Sequence, residues 1–260
     1  MTKPLLSLMK LSALTIIVLC SAAFNINNVF AQEPTLSPSD SIQLSWVEAL
    51  NSNHQMLKQF YSANSGLMYK DTLYTEIDQI LESLTALSIG MGAVSYETIE
   101  TFQLRKTQKF EFGRYITIDG SAHYTIIGWR DDGRWNKEFE VIYPAKFNIK
   151  DETTLVDFPR DQWQKYSNEH RPDLIVEKVF SDNSNYFNRG MHSRGMEIAD
   201  AYSYMKADSY SIRLEPVAVH QINEHAIFEI GIFHVGGRGL YTLIWKKEGE
   251  EWKLLMDFNF

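Results

Sequence analysis

Cysteine, proline and glycine are all scarce in this sequence. Its 260 residues include one cysteine, 7 prolines and 14 glycines. A single cysteine excludes a disulfide framework and a zinc site built from cysteines. So little proline and glycine excludes a collagenous or low-complexity chain. Basic residues are few as well, 25 against 33 acidic ones, for a net charge of -8. Nucleic acids and anionic membrane surfaces are therefore poor partners on electrostatic grounds.

The longest apolar run lies at the N-terminus and has the pattern of an export signal. Residues 1–10 carry two lysines and no acidic residue, and residues 11–23 form the apolar run. This run falls short of the roughly 20 residues that span a bilayer. We predict a signal peptide over 1–31, cleaved after Ala31, with cleavage after Ala23 as the alternative. The mature protein is then exported, periplasmic or secreted, and has no membrane attachment.

The rest of the sequence repeats itself. Matching segments follow one another in the same order at offsets of 117 to 119 residues: Phe60–Ser65 with Val179–Ser184, Phe110–Gly113 with Phe228–Gly231, Tyr124–Ile127 with Tyr241–Ile244, and Trp135 with Trp252. Small differences in loop length explain the drift of the offset, whereas chance matches would not keep their order. We predict a domain over 38–146, a charged linker over 147–160 and a second domain over 161–260.

Each copy begins with a helical pattern and continues with strands. Trp46, Leu50, Leu57 and Phe60 fall near one helical face. Short segments rich in aromatic and β-branched residues follow, separated by glycine-containing turns such as Asp119-Gly120. Helices followed by a run of strands predict an α+β fold in which helices pack on one face of a curved, mainly antiparallel sheet.

The second copy contains four distinctive motifs: Gly195-Met196-Glu197-Ile198, Glu229-x-Gly231, Gly239-x-Tyr241-x-x-x-Trp245 and Gly249-x-x-Trp252. With these motifs the sequence resembles the SnoaL-like branch of the nuclear transport factor 2-like (cystatin-like) superfamily. The first copy is more divergent and lacks a clear Gly-x-x-Ile helix start. The resemblance implies two tandem cone-shaped domains. It leaves function open, because the superfamily includes isomerases, dehydratases, cyclases and binding modules.

The resemblance also implies that polar groups in the cone form the site. In the second copy, we expect Glu229, His192 and Asp257 as candidate acid/base residues. The candidate pocket residues of the two copies are Tyr202, Phe233, Glu111 and His54. Strand alternation places Glu229 on one face with Phe233 and places His234 on the other face. The alternative for Glu229 is a structural acid held by backbone donors or by an arginine such as Arg194.

The leading hypothesis is an exported tandem protein that binds a small, partly apolar molecule in the second cone. One alternative is a cofactor-independent acid/base enzyme, such as a dehydratase, isomerase or cyclase. Another is a structural module in which the two copies pair within the chain like a dimer. We expect no cofactor, because Gly236-Gly237-Arg238-Gly239 lies between strands and is typical of a hairpin turn. We expect no metal either, because His220 and His225 fall on opposite strand faces.

Overall fold

A computed structural model describes residues 38–52, 54–145, 150–151 and 154–260. The predicted signal peptide lies outside these residues. The first copy contains helix α1 (Pro38–Ser52), a 3-10 helix (His54–Phe60), strands β1 (Tyr61–Tyr69) and β2 (Thr72–Tyr74), helix α2 (Ile77–Met91), and strands β3 (Ala93–Arg105), β4 (Gln108–Thr117), β5 (Ala122–Asp131) and β6 (Trp135–Ala145). Strand β7 (Lys150–Asp151) follows.

The second copy repeats this order. It contains helices α3 (Asp157–Asn168) and α4 (Pro172–Lys178), strands β8 (Phe180–Asn188) and β9 (Met191–Arg194), helix α5 (Glu197–Ala201), a 3-10 helix (Tyr202–Lys206), and strands β10 (Arg213–Asn223), β11 (Ala226–His234), β12 (Arg238–Glu248) and β13 (Glu251–Asn259). Pro172 opens α4, where its missing N–H costs no helical hydrogen bond.

The two sheets have the same topology. The first has the strand order β2-β1-β6-β5-β4-β3, and the second has the order β9-β8-β13-β12-β11-β10, with β7 added at its far edge. All pairs are antiparallel except β1 with β6 and β8 with β13. The predicted α+β fold with two tandem copies is therefore confirmed.

Each sheet packs its helices on one face and the other sheet on its opposite face. The residues predicted for the helical face of the first copy are all buried: Trp46, Leu50, Leu57 and Phe60. Between the sheets lies a shared core that is rich in phenylalanine, with Phe110 and Phe139 from the first copy and Phe187, Phe228 and Phe258 from the second. The rings of Phe139 and Phe258 stack across it with centroids 4.5 Å apart.

The second copy begins earlier than the sequence predicted. The predicted linker, 147–160, lies partly outside the described residues, but α3 begins at Asp157. The Arg160 side chain is buried. Residues 157–160 therefore belong to the second copy and not to the linker. The sequence pattern does not reveal this, because Arg160 is buried against Glu229, which is 69 residues away in the sequence. Within the described part of the chain, every helix is too short or too polar to cross a bilayer.

Candidate functional site

A cavity of about 400 Å³ opens at one end of the second copy, between its helices and its sheet. Six aromatic residues line it: Trp163, Tyr204, Tyr210, Phe233, Tyr241 and Phe260. Aliphatic side chains add Leu214 from β10, Val235 from the turn directly after β11, and Leu243 from β12. The charged lining residues are Asp257 and Arg189, of which Asp257 is buried and Arg189 is exposed. The cavity is therefore lined mostly by aromatic and aliphatic side chains, with a buried carboxylate and an exposed guanidinium among them.

Asp257 and Tyr202 form a hydrogen-bonded pair beside this cavity. The Tyr202 hydroxyl donates to a carboxylate oxygen of Asp257, and both side chains are buried. Burial raises the pKa of Asp257 to about 6, because a desolvated carboxylate is less stable in its charged form. Burial also raises the pKa of Tyr202 well above 10. The tyrosine therefore keeps its proton, while the carboxyl group can change charge near neutral pH.

Trp163 supplies a polar group that the protein leaves unused. Its indole ring is buried in the lining of the cavity, and its N–H donates to no side chain or backbone group among the described residues. The ring of Tyr202 packs edge-on against Trp163 with centroids 6.0 Å apart. Tyr202 thus connects the tryptophan to Asp257, although Tyr202 itself is not a lining residue.

Glu229 is completely buried behind the cavity and accepts three strong hydrogen bonds. Its Oε1 accepts from Nε of Arg160 at 2.7 Å and from the Tyr241 hydroxyl at 2.8 Å, and its Oε2 accepts from Nε1 of Trp245 at 2.9 Å. Glu229 does not line the cavity. Its link to the lining is the hydrogen bond from Tyr241, which is a lining residue. This geometry is that of a structural acid in a buried ion pair with an arginine.

The arginine that holds Glu229 is not the one named from the sequence. The alternative drawn from the sequence was backbone donors or an arginine such as Arg194, but Nε of Arg194 faces Asn185 and His192. Arg160 takes the role because α3 begins within the predicted linker and brings residue 160 over the sheet. The predicted alternation along β11 is confirmed, because Phe228 and Ile230 enter the core between the sheets while Phe233 packs on the helical side.

The Glu-x-Gly motif shared by the two copies has a steric explanation. A Cβ atom on Gly231 would lie 2.3 Å from the hydroxyl oxygen of Tyr241, the donor to Glu229. A Cβ atom on Gly113 would lie 2.3 Å from the hydroxyl oxygen of Tyr96, which donates to Glu111 at 2.7 Å. In each copy the glycine makes room for the tyrosine that binds the glutamate two residues earlier.

Replacing Gly231 with alanine should therefore displace Tyr241 and lower the free energy of unfolding by about 1–3 kcal/mol, the usual cost of overpacking. Urea denaturation of the full chain measures this change. Gly237→Ala is the matched control, since a Cβ atom there meets nothing within 4 Å, and it should stay within about 0.5 kcal/mol of the parent. Equal effects of the two substitutions would contradict the steric explanation.

The remaining predicted site residues lie outside the lining of the cavity. His192 on β9 lies 3.1 Å from Oδ1 of Asn185, and burial, aided by Arg194, lowers its pKa. Glu111 accepts from Tyr96, Thr98 and Lys109 in the first copy. His54 is the half-buried first residue of the 3-10 helix. Asp257 and Phe233 are thus the predicted site residues that line the cavity, with Tyr202 directly behind.

The first copy contains a buried charge pair that sequence reasoning missed. Lys137 and Glu140 on β6 both have fully buried side chains, and Nζ of Lys137 lies 3.0 and 2.9 Å from the two carboxylate oxygens of Glu140. The same ammonium lies 3.7 Å from the ring centroid of Trp46. The hydroxyls of Tyr61 and Tyr115 also donate to Glu140. The available signal was the repeat offset of 117, which aligns Glu140 with Asp257.

Comparison with known proteins finds similarity to solved structures over less than half of this chain. No protein-family model matches the sequence, and no curated protein matches it. Three examples of similar solved structures illustrate the extent of the similarity. An NTF-2 like protein of unknown function from Shewanella oneidensis MR-1 is 12% identical at a TM-score of 0.36, covering 40% of this chain and 94% of its own.

A protein domain of unknown function with a cystatin-like fold from Nostoc punctiforme is 16% identical at a TM-score of 0.36, covering 42% of this chain and 78% of its own. A DUF4783 family protein from Bacteroides uniformis is 12% identical at a TM-score of 0.34, covering 39% of this chain and 94% of its own. Over about two fifths of its length, this chain is thus similar to solved structures described as NTF-2 like or as having a cystatin-like fold.

Proposed function

We propose that the protein binds a small, partly apolar molecule in the cone of its second copy. The observation that carries this proposal is the cavity of about 400 Å³ that is lined mostly by aromatic and aliphatic side chains and contains one buried carboxylate. A concave, largely apolar site with a few fixed polar groups is the usual form of a small-molecule pocket. Asp257 and the N–H of Trp163 are the polar groups that would orient the ligand.

The corresponding space in the first copy is filled by the protein itself. Lys137, Glu140, Tyr115 and Trp46 pack together there with no exposed surface. A ligand in this position would have to displace a buried ion pair, which is costly. This asymmetry supports a division of roles in which the second copy binds and the first copy stabilises it through the shared core of phenylalanines.

The acid/base enzyme is the second candidate, and the Asp257–Tyr202 pair is the observation in its favour. A carboxyl group with a pKa of about 6 beside a pocket has the protonation behaviour that general acid/base catalysis uses. Two features place this candidate second. Glu229 is held by Arg160, and the lining residues among the described part of the chain include no histidine.

The native ligand can be detected by native mass spectrometry of the full chain purified from its own host. We expect an added mass on the parent protein and its loss in Val235→Trp, because a large ring at the half-buried position 235 would fill the cavity. Ala86→Trp is the matched control: it adds the same ring in an open groove of the first copy and should keep the added mass. Retention of that mass by both variants would place the ligand elsewhere.

We propose further that the protein is exported. The basic start and the short apolar run support this proposal. The mature chain from its own host should begin at Gln32, which N-terminal sequencing by mass spectrometry checks. An intact Met1 on the protein from the cytoplasmic fraction would contradict export.

A further inference from the structure

The two copies can be aligned residue by residue at the centre of each cone, through strand register alone. Lys137 pairs with Tyr61 and Trp129, and Leu254 pairs with Phe180 and Trp245 in the same arrangement of strands. In the first copy this position lies next to a register irregularity on the neighbouring strand β5, and in the second copy it lies next to one on the neighbouring strand β12. Lys137 and Leu254 are therefore equivalent positions.

The carboxylates are equivalent by the same reasoning. Glu140 pairs with Leu67 between β6 and β1, and Asp257 pairs with Tyr186 between β13 and β8. Strands β6 and β13 are offset by 117 residues, which aligns Glu140 with Asp257. Strands β1 and β8 are offset by 119 residues, which aligns Leu67 with Tyr186. Trp46 and Trp163 also differ by 117 and lie in the first helix of each copy.

In the first copy, the tryptophan and the carboxylate enclose an ammonium group. The Lys137 ammonium lies over the Trp46 ring, 3.7 Å from its centroid, and bonds both oxygens of Glu140. An ammonium over an aromatic face, and against a carboxylate, is stabilised by the ring quadrupole and by charge pairing. The Lys137 side chain thus occupies a cation site that the fold itself provides.

In the second copy, the tryptophan and the carboxylate remain but the ammonium does not. Leucine stands at position 254 in place of the lysine. Trp163 and Asp257 instead line the open cavity together with Tyr204, Tyr210 and Phe233. Arg189, the cation of the lining, is exposed at the rim, where water and salt screen its guanidinium.

We propose that the ligand of the second copy is an organic cation, an alkylated or quaternary amine whose charged end pairs with Asp257 as the Lys137 ammonium pairs with Glu140 in the first copy. This inference rests on the proposed function and specifies its ligand class. The ammonium end lies against Trp163 and Asp257, and the apolar remainder of the ligand lies against the aromatic and aliphatic lining nearer the opening.

The ionisation of Asp257 agrees with this ligand class. Burial raises its pKa to about 6, and a bound cation favours the charged carboxylate. The groups that face Asp257 are the tyrosines Tyr186, Tyr202, Tyr204, Tyr210 and Tyr241, which stay protonated because burial raises their pKa values. Asp257 is therefore the group that titrates, and affinity for the cation should rise from about pH 5 to about pH 7.

The test is isothermal titration calorimetry on the full chain with three probes of matched size: phenyltrimethylammonium, its uncharged isostere tert-butylbenzene, and benzoate. We expect the cation to bind at least about tenfold more tightly than the other two at pH 7. Asp257→Asn should remove most of this preference and the pH dependence, and leave the binding of tert-butylbenzene unchanged. Asp208→Asn is the control, since Asp208 is an exposed carboxylate between Tyr204 and Tyr210 in the sequence, and it should keep the preference.

The outcomes separate the two proposals. Equal or tighter binding of tert-butylbenzene would overturn the cation and leave the proposed small-molecule function standing. Tighter binding of benzoate would also overturn it and would point to Arg189 as the anchor. No binding of any probe, together with no added mass in native mass spectrometry, would overturn both proposals.

Discussion

Replacing Arg160 with methionine is expected to lower the free energy of unfolding by about 3–5 kcal/mol. The substitution leaves the Glu229 carboxylate, which is completely buried, without its cation. The hydroxyl of Tyr241 and the N–H of Trp245 would still donate to Glu229, but neither carries a charge. Urea denaturation followed by circular dichroism measures the loss.

Two comparisons make this expectation specific. Arg171→Met removes the arginine of an exposed pair with Asp173, and should leave the free energy of unfolding nearly unchanged, because water screens an exposed ion pair. Adding Glu229→Leu to Arg160→Met should recover much of the lost stability, because the unpaired buried charge is then gone. If Arg160→Met costs no more than Arg171→Met, then Glu229 is not held as a charged group by Arg160.

Replacing Lys137 with alanine should destabilise the protein by a similar amount, about 3–5 kcal/mol. The substitution removes the ammonium that bonds both oxygens of Glu140, and it leaves a gap the size of a propylammonium ion over Trp46. Lys165→Ala is the control, because its pair with Glu169 is exposed and 4.0 Å long; it should cost less than about 1 kcal/mol.

Added propylammonium should partly restore the melting temperature of Lys137→Ala, because a ligand that binds only the folded state stabilises that state. It should leave the parent protein unchanged at the same ionic strength. The uncharged compound 1-propanol is the probe control and should restore nothing. Equal restoration by 1-propanol would show that the site between tryptophan and carboxylate selects for shape and not for charge.

The repeated pattern made the architecture predictable from the sequence. Ordered matches such as Trp135 with Trp252 required two copies of one topology, and strand alternation was enough to place Phe233 and Phe228 on opposite faces of β11. Turn chemistry was equally informative: Gly236, with a φ of 58°, lies in the hairpin between β11 and β12, as the glycine-rich segment predicted.

The candidate site was only partly predictable, because its partners are distant in sequence and lie in unpatterned segments. Arg160 is 69 residues from Glu229 and follows a charged stretch with no apolar period, so nothing local marked it as buried. Lys137 and Glu140 are charged residues in a strand, which usually indicates a solvated face. Their burial depends on Trp46 and Tyr61, which come from the helical region and the first strand of the same copy.

A crystallographic fragment soak of the full chain compares the two cones in one crystal. We expect fragments, amines above all, to collect in the second-copy cavity against Trp163 and Asp257, while Lys137 and Glu140 leave no room in the first copy. Fragments bound only in surface grooves, with the second cavity closed by its own side chains, would contradict it.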